Sequence, residues 1–277
     1  MRPAREVAPA KINLALVVGP RRPADGLHEV VTVLQRIDVC DRLGLEPAPA
    51  LEVEGFREDT IVRAALERLA AEARVEPRWL VRIAKEIPVS TGLGGGSADA
   101  AAALRLANNA LAEPLSQARL HALASSLGAD VPFFLEPGPK LAQGGGERLE
   151  ALELPQDFWV VLALPHDRRK SSTGAVYDRF AQLGGDRGFP ERKEALLRAL
   201  AEVRRARDLA ALPPNDLAVA SGSASLAAEL RSAGAFRADV SGAGPAVYGL
   251  FHRRAEAREA AGLLGRVSRT WVLAPVW

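Results

Sequence analysis

The stretch that most constrains what this chain folds into is TGLGGGSADAAAAL, Thr91 to Leu104, a glycine cluster that enters an alanine-rich segment without a break. Glycines this close together give the backbone access to φ > 0 and keep side chains out of the way, so several N–H groups can converge on one anion. A glycine cluster alone fits a simple turn equally well, and its flanks decide between the two. WLVRIAKEIPV before it alternates as a strand does, and SADAAAALRLANNALAE after it has the composition of a helix. A helix that starts at such a loop adds free N–H groups and the positive end of its dipole, which makes phosphate the expected guest. Ser97 reads as the helix N-cap, with Asp99 in the first turn.

The spacing excludes the better known phosphate loops. A P-loop requires Gly-Lys-Ser/Thr after four spacer residues, and no lysine occurs between Lys85 and Lys140. A dinucleotide fingerprint needs its third glycine where Ser97 stands and follows the first strand of a βαβ unit. There is also no His-Arg-Asp or Asp-Phe-Gly of a protein kinase.

The rest of the chain mixes strand and helix. AKINLALVVG, HEVVTVLQRIDVCD and RLGLEP have strand spacing, and DTIVRAALERLAAEAR has helical periodicity, with Ile61, Ala65, Leu66, Leu69 and Ala70 on one face. SQARLHALASSLGA reads as a helix with Gly128 at its C-cap. PGPKLAQGGGERLEALELP, Pro137 to Pro155, is rich in turn residues and is the expected passage between two domains, 1–150 and 151–277. The second half opens with the strand FWVVLALP and continues through helices rich in Ala, Leu and Arg. ADVSGAGPAVYGLF follows, two strands about a glycine turn, and then a closing helix. The final RTWVLAPVW fits a terminal strand or a dimer contact. The expected fold class is therefore α+β, with mixed sheets and helices in both domains.

Composition removes several functions from consideration. A formal charge of +2 and an aromatic content of 5% do not make the basic, ring-lined face of a nucleic-acid binder. His28, His121, His166 and His252 have no second ligand at metal-binding spacing, so no zinc site is expected. The single cysteine, Cys40, lies in an apolar run and is expected to be a buried structural thiol in a reducing cytoplasm. No stretch approaches the roughly 18 apolar residues of a membrane span, and no secretory leader is legible.

Four stretches in order, PAKINLAL from Pro9, ADGLHEVVTVLQ from Ala24, IPVSTGLGGGSADAA from Ile87 and LGADVPFFL from Leu127, together resemble the GHMP small-molecule kinases. PVSTGLGGGS matches that family's second motif. NDL from Asn215 and SGAGPAVYGLF from Ser241 extend the resemblance over nearly the whole chain. It implies a two-domain GHMP kinase fold with the active site in the cleft between domains, and ATP with Mg²⁺ as cofactors. The loop Pro88, Val89, Ser90, Thr91, Gly92, Leu93, Gly94, Gly95, Gly96, Ser97 and Ala98 would hold the ATP phosphates, with Ser97 as a ligand to Mg²⁺. The branch that phosphorylates 4-diphosphocytidyl-2-C-methyl-D-erythritol is the nearest in motif, and that molecule is the implied partner, with a monomer or homodimer as the assembly. Other small alcohols, such as homoserine or mevalonate, and a nucleotide-binding regulator without catalysis are the competing readings.

Residue by residue, the resemblance implies that Asp130 is the base taking the proton of the substrate hydroxyl and that Lys11 lies beside both. On their own, a lysine in PAKINL fits a solvated charge and an aspartate in GADVPFF fits a turn cap. The alternation of a strand puts Asn13 on the side of Lys11. His28 would bind the cytosine edge, Tyr177 would stack on the base with Thr173 nearby, and Gly242 and Gly244 would close the site from the second domain. The chain departs from the pattern at Leu27, where the branch has tyrosine, at Ala98, where a second serine is frequent, and at Asp59 and Thr60, where Asn-Leu usually stands near adenine.

Overall fold

Long apolar runs make the first 47 residues two extended strands, β1 (Ala4–Arg21) and β2 (His28–Pro47), in a computed structural model that describes residues 3–56, 61–166 and 172–277. HEVVTVLQRIDVCD and RLGLEP are thus one strand. Asp41, the last residue of the first run, does not break it, because it is buried and its carboxylate is occupied by hydrogen bonds. β3 (Glu52–Glu54), α1 (Ile61–Ala73), β4 (Trp79–Ala84), α2 (Gly95–Ala110) and α3 (Gln117–Leu127) follow, then a 3₁₀ turn at Pro132–Leu135. Next come β5 (Lys140–Gly144), β6 (Arg148–Ala151), β7 (Trp159–Pro165), α4 (Thr173–Gln182) and α5 (Phe189–Ala201). A 3₁₀ turn at Ala206–Ala211 leads to α6 (Ala218–Ser221), α7 (Ala224–Ser232), β8 (Arg237–Val240), β9 (Val247–Phe251), α8 (Arg254–Leu264), β10 (Ser268–Leu273) and β11 (Pro275–Val276).

Packing sorts the chain into two compact units, neither of them one continuous stretch. The first holds Met1–Ala10, Val39–Val89 and Gly94–Pro137; the second holds Lys11–Asp38, Ser90–Leu93 and Gly138–Trp277. Because β1 and β2 each supply residues to both, the grouping does not follow a division along the chain at residue 150.

In the first unit β4 lies between β3, in parallel register, and the last part of β2, antiparallel from Arg42↔Ala84 to Pro47↔Trp79. α1 packs on α2 and α3. The face α1 buries is Val62, Ala65, Leu66, Leu69 and Ala70, so Val62 takes the place expected of Ile61, which is half-buried. Leu66 and Leu69 are fully buried and contribute about 1.5–3 kcal/mol each. α3 starts at Ser116, whose side chain accepts from Arg119 N. Gly128 ends it with φ 168°, an extended conformation that needs no glycine, and not the left-handed cap expected there.

In the second unit the first part of β2 pairs with β5, and β5 pairs with β6. The segment expected to be an interdomain passage is therefore a β-hairpin, since Leu141 and Ala142 are apolar enough to be buried and the glycines at 144–146 supply the turn. A four-stranded antiparallel sheet, ordered β10-β7-β9-β8, packs against α7 and α8 around Val161, Leu230, Val240, Val247 and Phe251. The apolar end RTWVLAPVW is strand: β10 pairs with β7, and β11 pairs with β2 at Ile37 and Arg36. Buried Arg237 donates to the carbonyls of Leu209, Leu212 and Pro213 and to Tyr248 Oη, which donates to Leu14 O and whose pKa burial pushes up to about 12. Cys40 is half-buried rather than buried. Among the described residues no helix is long and apolar enough to cross a membrane.

Candidate active site

The glycine loop leaves β4 at Ala84 and ends at the start of α2. Gly94, not Ser97, is the N-cap: it takes the left-handed conformation at φ 71°, and Ala98 N donates to its carbonyl at 2.8 Å. Serine strongly disfavours that backbone conformation whereas glycine does not, so the helix begins three residues earlier than the serine signal indicates. Ser97 becomes the third residue of α2, and Asp99 moves out of the first turn. The N–H groups of Gly95, Gly96 and Ser97 are those a helix leaves without an intrahelical acceptor, and Gly94 has no side chain with which to cap them. The Ser97 hydroxyl stands on the same turn.

Residues Ser90–Leu93 belong to the second unit, where they meet the SGAG motif. Ser241 Oγ donates to Gly92 O at 3.0 Å, and Ala246 N donates to Thr91 O at 3.2 Å. Gly92 is at φ 84°, and a Cβ there would lie 2.1 Å from Ser241 O, so backbone meets backbone with no space for a side chain. Gly242 (φ 55°) and Gly244 (φ 76°) form the SGAG bend, which is held by Asn215: its Nδ2 donates to Val240 O at 2.9 Å and to Gly242 O at 2.7 Å. Asp216 of the same NDL motif accepts from Val18 N and pairs with Arg192. Asn215 and Asp216 are thus site-supporting residues that sequence reasoning marked only as a motif.

Lys11 N donates to Leu93 O at 2.9 Å, which fixes β1 beside the loop. Lys11 Nζ donates to Asn13 Oδ1 at 2.7 Å, Asn13 Nδ2 to Thr32 Oγ1 at 2.8 Å, and Thr32 Oγ1 to Ala15 O at 2.7 Å. Lys11 and Asn13 share a side of the strand and are each only 4% exposed. Gly242 is close too, since a Cβ on it would be 3.5 Å from Asn13 Oδ1.

His28 is 7% exposed, and its Nδ1 lies 2.7 Å from Gly19 O. A carbonyl can only accept, so Nδ1 carries the hydrogen, and in the uncharged tautomer that this selects Nε2 is an acceptor. Nε2 is buried and has no hydrogen-bond partner among the described residues. The ring of Tyr177 on α4 lies 5.3 Å from that of His28, tilted by 38°, and Thr173 opens the same helix one turn earlier and is exposed. Leu27 beside them is 50% exposed.

Asp130 lies in the first unit, half-buried in the turn between α3 and Pro132. Also in that unit, Lys85 Nζ donates to Asp41 Oδ2 and Asp99 Oδ2, each at 2.6 Å. None of these three was singled out for the site from sequence; the available signal was a carboxylate inside each of two apolar runs. Asp59 and Thr60 lie outside the described residues. Among the described residues no three His, Cys, Asp or Glu side chains group to hold a metal ion. The donors present at the loop are backbone N–H groups and the hydroxyls of Ser90, Thr91 and Ser97, which suit a nucleotide phosphate, and the hydroxyl oxygens are what the loop would offer a Mg²⁺.

Comparison with known proteins returns one family. The GHMP kinases N terminal domain model matches residues 60–138, and the GHMP kinases C terminal model matches residues 193–265. A 4-diphosphocytidyl-2-C-methyl-D-erythritol kinase of Citrifermentans bemidjiense is 36% identical over 283 residues, covering 98% of this chain and 97% of its own. One of the same name from Pelotomaculum thermopropionicum is 40% identical over 272 residues, covering 92% and 91%. Among solved structures, a 4-(cytidine 5'-diphospho)-2C-methyl-D-erythritol kinase aligns with a TM-score of 0.78 at 32% identity, over 99% of this chain and 100% of that one. A homoserine kinase from Cytophaga hutchinsonii aligns with a TM-score of 0.74 over 100% of this chain and 95% of that one, but at 15% identity it shares the fold alone.

Proposed function

This chain belongs to the GHMP kinases, and from that premise we propose that it phosphorylates the 2-hydroxyl of 4-diphosphocytidyl-2-C-methyl-D-erythritol with ATP. The 2-phosphate and ADP are the products, and the step belongs to the non-mevalonate route to isopentenyl diphosphate. The observation that carries the substrate is His28. Its buried Nε2 is an acceptor without a partner among the described residues, and the 4-amino group of cytosine is a donor. Uracil presents a carbonyl at that position, which would leave two acceptors facing each other. Tyr177 beside it offers a ring face to the base.

The chain's own residues divide the phosphoryl transfer among them. The N–H groups of Gly95, Gly96 and Ser97 bind phosphate oxygens at the positive end of α2. Asp130 takes the proton of the 2-hydroxyl as its oxygen bonds to the γ-phosphorus and the bond to the β-phosphate oxygen breaks. Lys11, oriented by Asn13, stabilises the charge that develops on the transferring group. Mg²⁺, when bound with the nucleotide, neutralises phosphate charge, and Ser97 is the side chain offered to it. Gly242 and Gly244 line the substrate side, with Thr173 at the open edge of the base pocket.

The test is ADP release with ATP, Mg²⁺ and separately the cytidine substrate, homoserine and mevalonate, with the phosphorylated position read by ³¹P NMR. Turnover of the cytidine substrate to its 2-phosphate is expected. Turnover of only another alcohol would overturn the substrate, and none with any would favour a regulator.

A further inference from the structure

Lys85, Asp41 and Asp99 form a buried ionic cluster at the root of the glycine loop that the proposed reaction does not use. Both aspartates are fully buried, and the Lys85 side chain is only 15% exposed. Asp41 Oδ1 accepts from Glu86 N at 2.6 Å and Ile87 N at 2.8 Å, so it holds the two residues that precede Pro88. Asp99 stands one helical turn after Gly95, on the same face of α2. A Cβ on Gly95 would lie 3.0 Å from Ile87 Cγ2 and 3.6 Å from Asp41 Oδ2, so the helix start rests directly on this cluster. Lys85 therefore ties the strand end that enters the loop to the helix that leaves it.

Charge shows what such a cluster can contribute. Two carboxylates share one ammonium, so the cluster is no attractor for phosphate; burial opposes the charge of Lys85, but its hydrogen bonds to Asp41 and Asp99 outweigh that and hold its pKa above the usual lysine value. A lysine serving the anion directly would face it, whereas this one is directed to Asp41 and Asp99. Its contribution is geometric. We propose that Lys85, with Asp41 and Asp99, is a positioning group that fixes the first-turn N–H groups of α2 for the nucleotide phosphates. This rests on the kinase reading above.

The experiment measures Mg²⁺-ADP binding by calorimetry, beside steady-state kinetics and thermal unfolding, on the full chain. Asp99→Ala cuts the tie to α2 and leaves the Lys85–Asp41 pair. It is expected to weaken ADP about 10-fold and raise the KM for ATP equally, with the KM for the alcohol within about 2-fold, since small misplacements of binding groups carry large costs. Asp99→Asn, which keeps the shape and an acceptor oxygen, is expected to recover much of the ADP affinity. Lys85→Met combined with Asp99→Leu and Asp41→Asn removes all three buried charges while keeping an acceptor for Glu86 N and Ile87 N, and is expected to restore the unfolding temperature without restoring ADP affinity. Folded Asp99→Ala protein with wild-type ADP affinity and lowered thermal stability would overturn the inference, as would recovery of both properties in the triple variant. Wild-type protein that binds no ADP would overturn the kinase reading and this inference together.

Discussion

Around the root of the glycine loop, side-chain charge is consumed within the protein: Lys85 serves two aspartates, Asp41 serves two backbone N–H groups, and the groups left for a ligand are backbone N–H at the start of α2. The surroundings of His28 are arranged the other way. There one ring nitrogen is consumed by the backbone carbonyl of Gly19, and the other is left without a partner among the described residues. Phosphate offers equivalent oxygens on all sides and is served by any convergent set of N–H groups, so chain geometry suffices. A base edge has one ordered pattern of donors and acceptors, so under the proposed function its recognition would rest on the identity and tautomer of a single side chain. The loop should therefore be sensitive to added atoms, and the His28 pocket to changed chemistry.

Four substitutions sharpen or break that contrast. The largest effect is expected for Asp130→Asn, the one carboxylate assigned to the chemistry, which should lower kcat by at least about 10² to 10⁴ while ATP binding is largely kept. Single-turnover kinetics with near-normal rates would remove Asp130 from that role. Gly92→Ala places a Cβ within 2.1 Å of Ser241 O at a backbone φ of 84°. It should cost about 2–4 kcal/mol in denaturant unfolding and weaken nucleotide binding, through added atoms alone. Unchanged stability would mean that the approach of Gly92 to Ser241 is not fixed.

His28→Phe keeps a ring beside Tyr177 and deletes the acceptor. The KM for the cytidine substrate should rise about 10- to 100-fold with the KM for ATP unchanged, the cost of about 1.4–2.7 kcal/mol for one specific hydrogen bond. A parallel loss for ATP would show that the two sites are not separable in this way. Smallest, Leu27→Tyr adds a ring at a position 50% exposed and should tighten the cytidine substrate by about 0.5–1.5 kcal/mol, read as Kd. An unchanged or weaker Kd would show that another group already covers that face.

Much of the fold was legible because its signals are local. Glycine spacing, the strand before it and the alanine-rich run after it located α2, and the apolar alternation located β1, β2, β4 and β7. Local signals failed where two competed or where tertiary packing overrode one. Ser97 is a good N-cap residue, but the left-handed Gly94 three residues earlier started the helix. Turn residues in Pro137–Pro155 suggested a passage, yet Leu141 and Ala142 found partners in β2 and made it a hairpin.

By itself, the sequence determined the main strands and helices and the family, and raised the expectation of an anion at the loop, since each depends on residues within a few positions of one another or on motifs in fixed order. Only the tertiary structure decided that Asn215 holds the SGAG bend, that Lys85 joins Asp41 to Asp99, and that Gly19 O sets the tautomer of His28. Those partners lie 9 to 44 residues apart, and a hydrogen bond is fixed by where the folded backbone brings its atoms, which no local pattern of residue types records.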